Sequence, residues 1–347
     1  MTDGSRERRV RGSQIRSSRE TKKQQKDQQR EDKGLQRLEK QQDGHARETS
    51  SQLDESFIPE EQPFIKTDAV NQIETRMGRW LDVGRPVHLI GPTGCGKTAL
   101  AMHVAHERDR PVVWINGDAD LTTSDLVGEY AEKERISERD QYIHNVIKSK
   151  DIIRDRWVDN PLTLAVQEGA TLVYNEFSRT KPVANNVLLS VFEEGVLELP
   201  GQRGKSRYVD VHPDFRAILT SNSVEYAGVH EPQDALLDRL VGLYMDFYDR
   251  DTEIEIVHAH VDGSATEYVE PIVRLMRELR GRLDINVGTR AAIMAAEGIE
   301  TVDDLDQVIL TDICVDVLAS KVAQHSAVDE LRDEVESTIN DVEVSLS

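Results

Sequence analysis

The sequence predicts an α/β fold: a five-stranded parallel sheet with helices on both faces, followed by an α-helical domain. Three observations predict it. A short apolar run (Val87, Leu89, Ile90) leads into Gly91-Pro92-Thr93-Gly94-Cys95-Gly96-Lys97-Thr98, and an amphipathic stretch, Ala99 to Glu107, follows. Strand, glycine loop and helix is the context that a phosphate-binding loop needs. Four further strand-like segments alternate with helical patterning, which indicates parallel strands covered on both faces. From Asp251 onward only helical patterning recurs.

The loop defines the chemistry. Its glycines let backbone N–H groups turn inward and cradle phosphate oxygens at a helix N-terminus, where the dipole favours anions. Lys97 is placed to reach the β- and γ-phosphates, and the Thr98 hydroxyl to ligate Mg²⁺. Gly91, Pro92, Thr93, Gly94, Cys95 and Gly96 complete the nucleotide-binding set. Cys95 is read as a small loop-filling residue, not a nucleophile.

At 347 residues the chain has room for one large domain or two modest ones. Its net charge of −21 is unevenly spread, because residues 1–50 carry 14 Lys/Arg against 9 Asp/Glu, a net +5 that leaves −26 on the remainder. Past residue 50 lysine occurs only at 66, 97, 133, 148, 150, 181, 205 and 321. An acidic, lysine-poor body suits a salt-rich cytoplasm, where carboxylates hold water and salt screens their repulsion. Cys95 and Cys314 are the only cysteines, so a disulfide framework is excluded and a reducing compartment is expected. With no run of 18 apolar residues and no apolar h-region at the N-terminus, a soluble cytoplasmic protein is expected. The ten histidines show no H-E-x-x-H or Cys/His ligand spacing, and no G-x-S-x-G elbow occurs.

Taken in order, residues 1–55 are Arg, Lys, Gln, Glu and Ser with almost no large apolar side chains. They cannot bury enough surface to offset ordering entropy, so a disordered basic arm is expected. Phe57 to Lys66 reads as an entry segment. Thr67 can cap a helix whose apolar positions are Val70, Ile73, Met77, Trp80 and Leu81. The second strand is Pro111–Asn116; the charged stretch from Glu129 to Asp155 reads as a surface insertion with helical content. The third strand, Ala170–Tyr174, ends in Asn175-Glu176-Phe177-Ser178-Arg179, apolar residues running into a polar pair. A helix is expected over Pro182–Glu194, with Val187, Leu188, Val191 and Phe192 inward. A hairpin follows, Val196–Pro200 with Arg207–Val211, carrying Arg203 and Lys205 at its tip. The fourth strand, Phe215–Thr220, delivers Asn222 to the phosphate crevice, as befits a γ-phosphate or water sensor. Ala235–Leu240 is a short helix leading to the fifth strand, Val241–Phe247. Helices are expected over Thr266–Arg282, Thr289–Glu297, Val302–Ala323 and Val328–Val342; Gly288-Thr289-Arg290 opens one of them.

With these landmarks in place, the order of motifs resembles the CbbQ/NorQ/GvpN family of MoxR-type AAA+ ATPases over roughly residues 60–300. The likeness rests on G-P-T-G-C-G-K-T (91–98), T-S-D-L-V-G (123–128), L-V-Y-N-E-F-S-R (172–179), N-N-V-L-L-S-V-F-E-E-G-V-L-E-L-P (185–200), T-S-N (220–222) and L-L-D-R-L (236–240). Y-N-E-F followed by A-N-N-V-L-L-S-V and E-E-G is most similar to the gas vesicle members, and the acidic body to haloarchaeal ones. The resemblance implies a P-loop AAA+ core over 56–250 and an α-helical lid with C-terminal helices over 251–347, behind the basic arm of 1–55. It implies ATP and Mg²⁺ as cofactors, Glu176 activating the attacking water, Asn222 as sensor 1, Arg239 as arginine finger and Arg290 as sensor 2. It also suggests Arg179 as a contributor across a subunit boundary. As the arginine finger of such a family, Arg239 would act on a neighbour's nucleotide, so the resemblance also implies a ring, a homo-hexamer. The chain departs from most P-loop ATPases at Asn175, where an Asp orients Mg²⁺ and its waters; Asn keeps the acceptor and loses the charge, so slow hydrolysis is expected.

The function implied is ATP-dependent remodelling or delivery of gas vesicle shell proteins, with shell or accessory proteins such as GvpC as partners and a gas-vesicle-associated location. Two alternatives keep the fold: an activator of a metalloenzyme in the manner of CbbQ and NorQ, and a nucleotide-binding structural component without turnover. A nucleic-acid motor is disfavoured, because the body is too acidic for a phosphate track.

Overall fold

The nine strands among the described residues are β1 (Val87–Gly91), β2 (Val112–Asn116), β3 (Gly128–Arg139), β4 (Ser149–Asp159), β5 (Thr171–Asn175), β6 (Val196–Glu198), β7 (Tyr208–Asp210), β8 (Arg216–Asn222) and β9 (Val241–Tyr244). The protein's structure, a computed structural model, describes residues 64–139, 149–222, 233–261, 263–302, 304–322 and 326–342. The arm expected over residues 1–55 lies outside them, as do residues 57–63 of the entry segment. All described residues belong to one unit, Leu53–Ser347.

Five strands form one sheet in the order β2-β5-β8-β1-β9, every neighbouring pair parallel. Because they run the same way, their carboxyl ends share one edge. There the register sets Gly91 beside Asn222 and Asn116 beside Asn175. The edge of an open parallel sheet is where such folds place ligands.

Alternation along the strands feeds two cores. Leu172, Tyr174 and Leu219 pack with Leu162, Val166, Leu188 and Val191 on one face. Val173, Ile218 and Leu89 pack with Met77, Leu81, Leu100 and Val104 on the other. A third core, with Ile272, Leu279, Ala295, Leu310, Cys314 and Val335, holds the C-terminal helices together. Thr67 caps the helix Asp68–Asp82, its side chain accepting from Val70 N. Val70, Met77 and Leu81 of that helix are buried, but Trp80, expected inward, is 43% exposed.

Several expectations are corrected. The described parts of the stretch from Glu129 to Asp155, residues 129–139 and 149–155, are not helical: they lie in the antiparallel strands β3 and β4. The pairing sets Lys133 opposite Asp155 and Glu134 opposite Arg154, facing positions of opposite charge that sequence periodicity does not reveal. The base of the hairpin is held by Tyr130, whose ring meets Trp157 edge-on at 5.2 Å and whose hydroxyl donates to Gly201 O at 2.8 Å. The helix expected over Pro182–Glu194 is two pieces, Pro182–Asn185 and Val187–Glu193. Beyond the sheet, the helices are Arg250–His258, Val269–Arg282, Thr289–Glu300, Gln307–Ala319 and Ser326–Val342. The first of these has no counterpart in the expected set. The fourth starts five residues late, where Asp306 caps it by accepting from Ile309 N at 2.8 Å. None of the described helices is long and apolar enough to cross a membrane.

His88 ties β1 to its neighbours. It is 5% exposed, its Nε2 lies 2.7 Å from Ser221 Oγ, and its ring meets Phe177 edge-on at 4.9 Å. Burial pushes its pKa down to about 4. The unfolded chain therefore binds a proton at His88 that the folded chain refuses between pH 6.5 and about 4. Stability should fall as pH drops through that window, by roughly 2 kcal/mol from pH 6.5 to 5. Urea unfolding at the two pH values checks this, and His88→Gln should flatten the slope attributable to this site.

Candidate active site

The phosphate loop turns between β1 and the helix Lys97–His106. Gly94 (φ +83) and Gly96 (φ +89) take left-handed conformations that side chains resist. Gly96 caps the helix without any side-chain bond, so the first-turn N–H groups stay available to an anion. Lys97 is 5% exposed, and its Nζ donates to Gly91 O (3.0 Å), Pro92 O (2.7 Å) and Asn222 Oδ1 (3.0 Å). Burial lowers the ammonium's pKa, the neighbouring Cys95 and Glu176 counter it, and the charge of Arg290 adds to the lowering.

The carboxyl end of β5 supplies the polar pair. Asn175 uses both ends of its amide. Its Oδ1 accepts from Thr98 Oγ1 and Thr220 Oγ1, each at 2.8 Å, and its Nδ2 donates to Asn116 Oδ1 at 2.8 Å. Glu176 sits in the left-handed region (φ 53), a conformation non-glycine residues rarely adopt. Its backbone N donates to Thr220 Oγ1 at 3.1 Å, and its carboxylate accepts from Asn222 Nδ2 at 3.0 and 2.9 Å. Behind it the turn is clamped: the Tyr174 hydroxyl lies 2.9 Å from both Thr180 Oγ1 and Asn185 Oδ1, and Asn185 Nδ2 donates to Phe177 O at 3.1 Å.

Lys97, Thr98, Asn175, Glu176, Asn222 and Arg290 thus meet around one cleft of about 670 Å³. An adjoining chamber of about 310 Å³ is largely apolar, lined by Ile65, Val70, Tyr248, Ile256, Ile293 and Met294. Arg239 stands apart from both. Its Nε donates to Glu193 Oε2 at 2.9 Å and its Nη1 to Ala235 O. Arg179 ends the short helix Phe177–Arg179 and is exposed. Asn116, Thr220, Tyr174, Thr180 and Asn185 were not singled out from the sequence. Asn116 ends a buried strand at the same edge as Asn222, so the strand-end rule that found one reaches the other.

Residues 86–240 match the model of the AAA domain, dynein-related subfamily. The chain is 82% identical to the gas vesicle ATPase GvpN of Haloferax mediterranei over all of both chains. It belongs to the GvpN family. It is also 79% identical, again over all of both chains, to the gas vesicle ATPase GvpN1 of Halobacterium salinarum. By contrast, the protein CbbQ of Hydrogenophilus thermoluteolus is 28% identical over 60% of this chain and 72% of its own. Asn175, a departure from most P-loop ATPases, therefore sits in a chain that matches these GvpN proteins from end to end.

The residues fit a nucleotide with its metal. The loop presents uncapped helix N–H groups and a buried ammonium to phosphate oxygens, and the apolar chamber beside it can take a flat ring. Thr98 Oγ1 and Asn175 Oδ1, 2.8 Å apart, are oxygen donors of the kind a hard divalent cation prefers. When bound, such an ion neutralises charge on the phosphates.

Removing the Tyr174 hydroxyl leaves buried polar atoms of Thr180 and Asn185 without that partner. Tyr174→Phe should therefore destabilise the fold by about 1–3 kcal/mol, read as a lowered urea midpoint with an unchanged m-value.

Proposed function

We propose that this chain is an ATPase acting in gas vesicle formation, using ATP binding and hydrolysis to remodel or deliver shell or accessory proteins. One observation carries the enzymatic half: Asn222 bridges Lys97 of the phosphate loop and the Glu176 carboxylate within a single cleft. Lys97 and the loop amides bind and orient the phosphates. Glu176 accepts a proton from water aligned for attack, and Asn222 holds that carboxylate in place. Arg290 faces the same cleft and supplies positive charge against the phosphates. Mg²⁺ would be held by Thr98, with Asn175 acting through its neutral oxygen, so metal affinity and turnover are both modest. The gas vesicle half is supported by the names of relatives that match this chain from end to end.

In this reading Arg239 serves the neighbouring protomer of a homo-hexameric ring. Its guanidinium pairs with Glu193 at 26% exposure, so assembly exchanges that pair for a nucleotide contact.

Phosphate release by the purified full chain in high-salt buffer tests the enzymatic half. Lys97→Ala should abolish both nucleotide binding and turnover. Glu176→Gln should retain binding while turnover falls by about 10²–10⁴-fold, the usual contribution of a positioned general base. Turnover of Lys97→Ala at the wild-type level would overturn the site. Deleting the gene in its host tests the other half: intact vesicles should be lost and restored by the wild-type gene, but not by Lys97→Ala.

A further inference from the structure

The helix Thr289–Glu300, which carries Arg290, begins directly on the phosphate loop. Gly288 precedes it with φ −90 and ψ 173, extended backbone that any residue adopts. Its glycine is required for another reason. A Cβ at 288 would lie 2.9 Å from Gly94 Cα, 2.9 Å from Thr93 O and 3.0 Å from Gly94 O. Lid and loop therefore touch backbone to backbone.

The next residue, Thr289, is 6% exposed and donates its hydroxyl to Glu253 Oε1 at 2.8 Å. Glu253 is 1% exposed on the helix Arg250–His258 and also accepts from Arg280 Nη2 at 2.7 Å and Arg277 Nη1 at 2.5 Å. Both arginines are anchored elsewhere as well. Arg277 donates to Tyr248 O at 2.9 Å, while Arg280 donates to Val287 O at 2.5 Å and lies 3.9 Å over the Phe247 ring. Phe247 and Tyr248 follow β9, the strand paired with β1. One buried carboxylate thus connects the exit of the sheet, two helices of the lid and the residue before Arg290.

We propose that Gly288, Thr289 and Glu253 are positioning residues for Arg290. Gly288 seats the start of its helix on the phosphate loop, and the Thr289–Glu253 bond fixes the direction in which the helix leaves. The inference rests on the reading that Arg290 meets nucleotide in the cleft, and adds what places it there. The pair Gly94 and Gly288 makes the seat reciprocal, since a Cβ at Gly94 would come within 3.2 Å of Gly288 Cα. A displaced loop is then felt at once by the helix that bears the guanidinium.

The test uses the full chain, with binding of a fluorescent ATP analogue and phosphate release as readouts. Gly288→Ala and Thr289→Val should each lower kcat/KM by about 10- to 100-fold, the effect of misplacing a charge by the order of 1 Å. Thr289→Ser should restore it. Gly281→Ala, in the same lid with nothing within 4 Å of the added methyl, should behave as wild type. In an Arg290→Ala background neither Gly288→Ala nor Thr289→Val should cost anything more. Gly288→Ala at the wild-type level, or losses that add fully to that of Arg290→Ala, would overturn the proposal. If Gly288→Ala loses its cooperative melt, the pair Thr289→Val and Thr289→Ser decides by the same criteria. A wild-type chain that binds no analogue would instead refute the nucleotide site itself.

Discussion

One amide holds the cleft together. Asn222 accepts from the Lys97 ammonium with one end and donates to the Glu176 carboxylate with the other. A cation and an anion of the site are thereby coupled through a neutral group. The ammonium, with all three protons directed at neutral oxygens, is satisfied where it is buried. Phosphate oxygens offer charge-assisted bonds that such neutral acceptors cannot match, so the lysine can exchange partners without passing through an unpaired state. Everything that fixes Asn222, including the strand pairing beside Gly91 and the His88–Ser221 contact one residue earlier, serves this coupling.

Asn175 extends the same logic. An amide at this position accepts from Thr98 and Thr220 and donates to Asn116, three bonds from one neutral side chain. A carboxylate has no proton to give Asn116, so the aspartate usual at this place would require the Asn116 amide to turn. Neutrality here leaves the formal negative charge at the end of β5 on Glu176 alone. The site gives up electrostatic hold on a metal and gains a donor toward Asn116.

What the sequence discloses and what it conceals follow from the range of the interactions. The loop 91–98, the five core strands and the polar residues at their ends are written in short runs, and the sheet assembles them as those runs imply. The cap at Thr67 is equally local. The β3–β4 hairpin depends on a register between strands ten residues apart, and a charged stretch with scattered apolar residues gives no periodicity from which to infer it. Trp80 follows the helical spacing of its neighbours but is 43% exposed. Gly288 stands in the sequence as an ordinary residue before a helix; its necessity comes from Gly94, almost two hundred positions earlier. Glu253 likewise gains its meaning only when Arg277, Arg280 and Thr289, 24, 27 and 36 positions further along, close around it.

The buried carboxylate at Glu253 also sets how the molecule responds to brine. At molar ionic strength the screening length in open solvent shrinks to about 3 Å, which weakens the attraction between exposed charges. Pairs such as Arg207 with Glu198, at 50% and 45% exposure, then contribute little. Glu253, at 1%, is shut away from mobile ions, so its grip on Arg277 and Arg280 persists. Concentrated salt would loosen the periphery while leaving the articulation between sheet and lid as stiff as in dilute buffer.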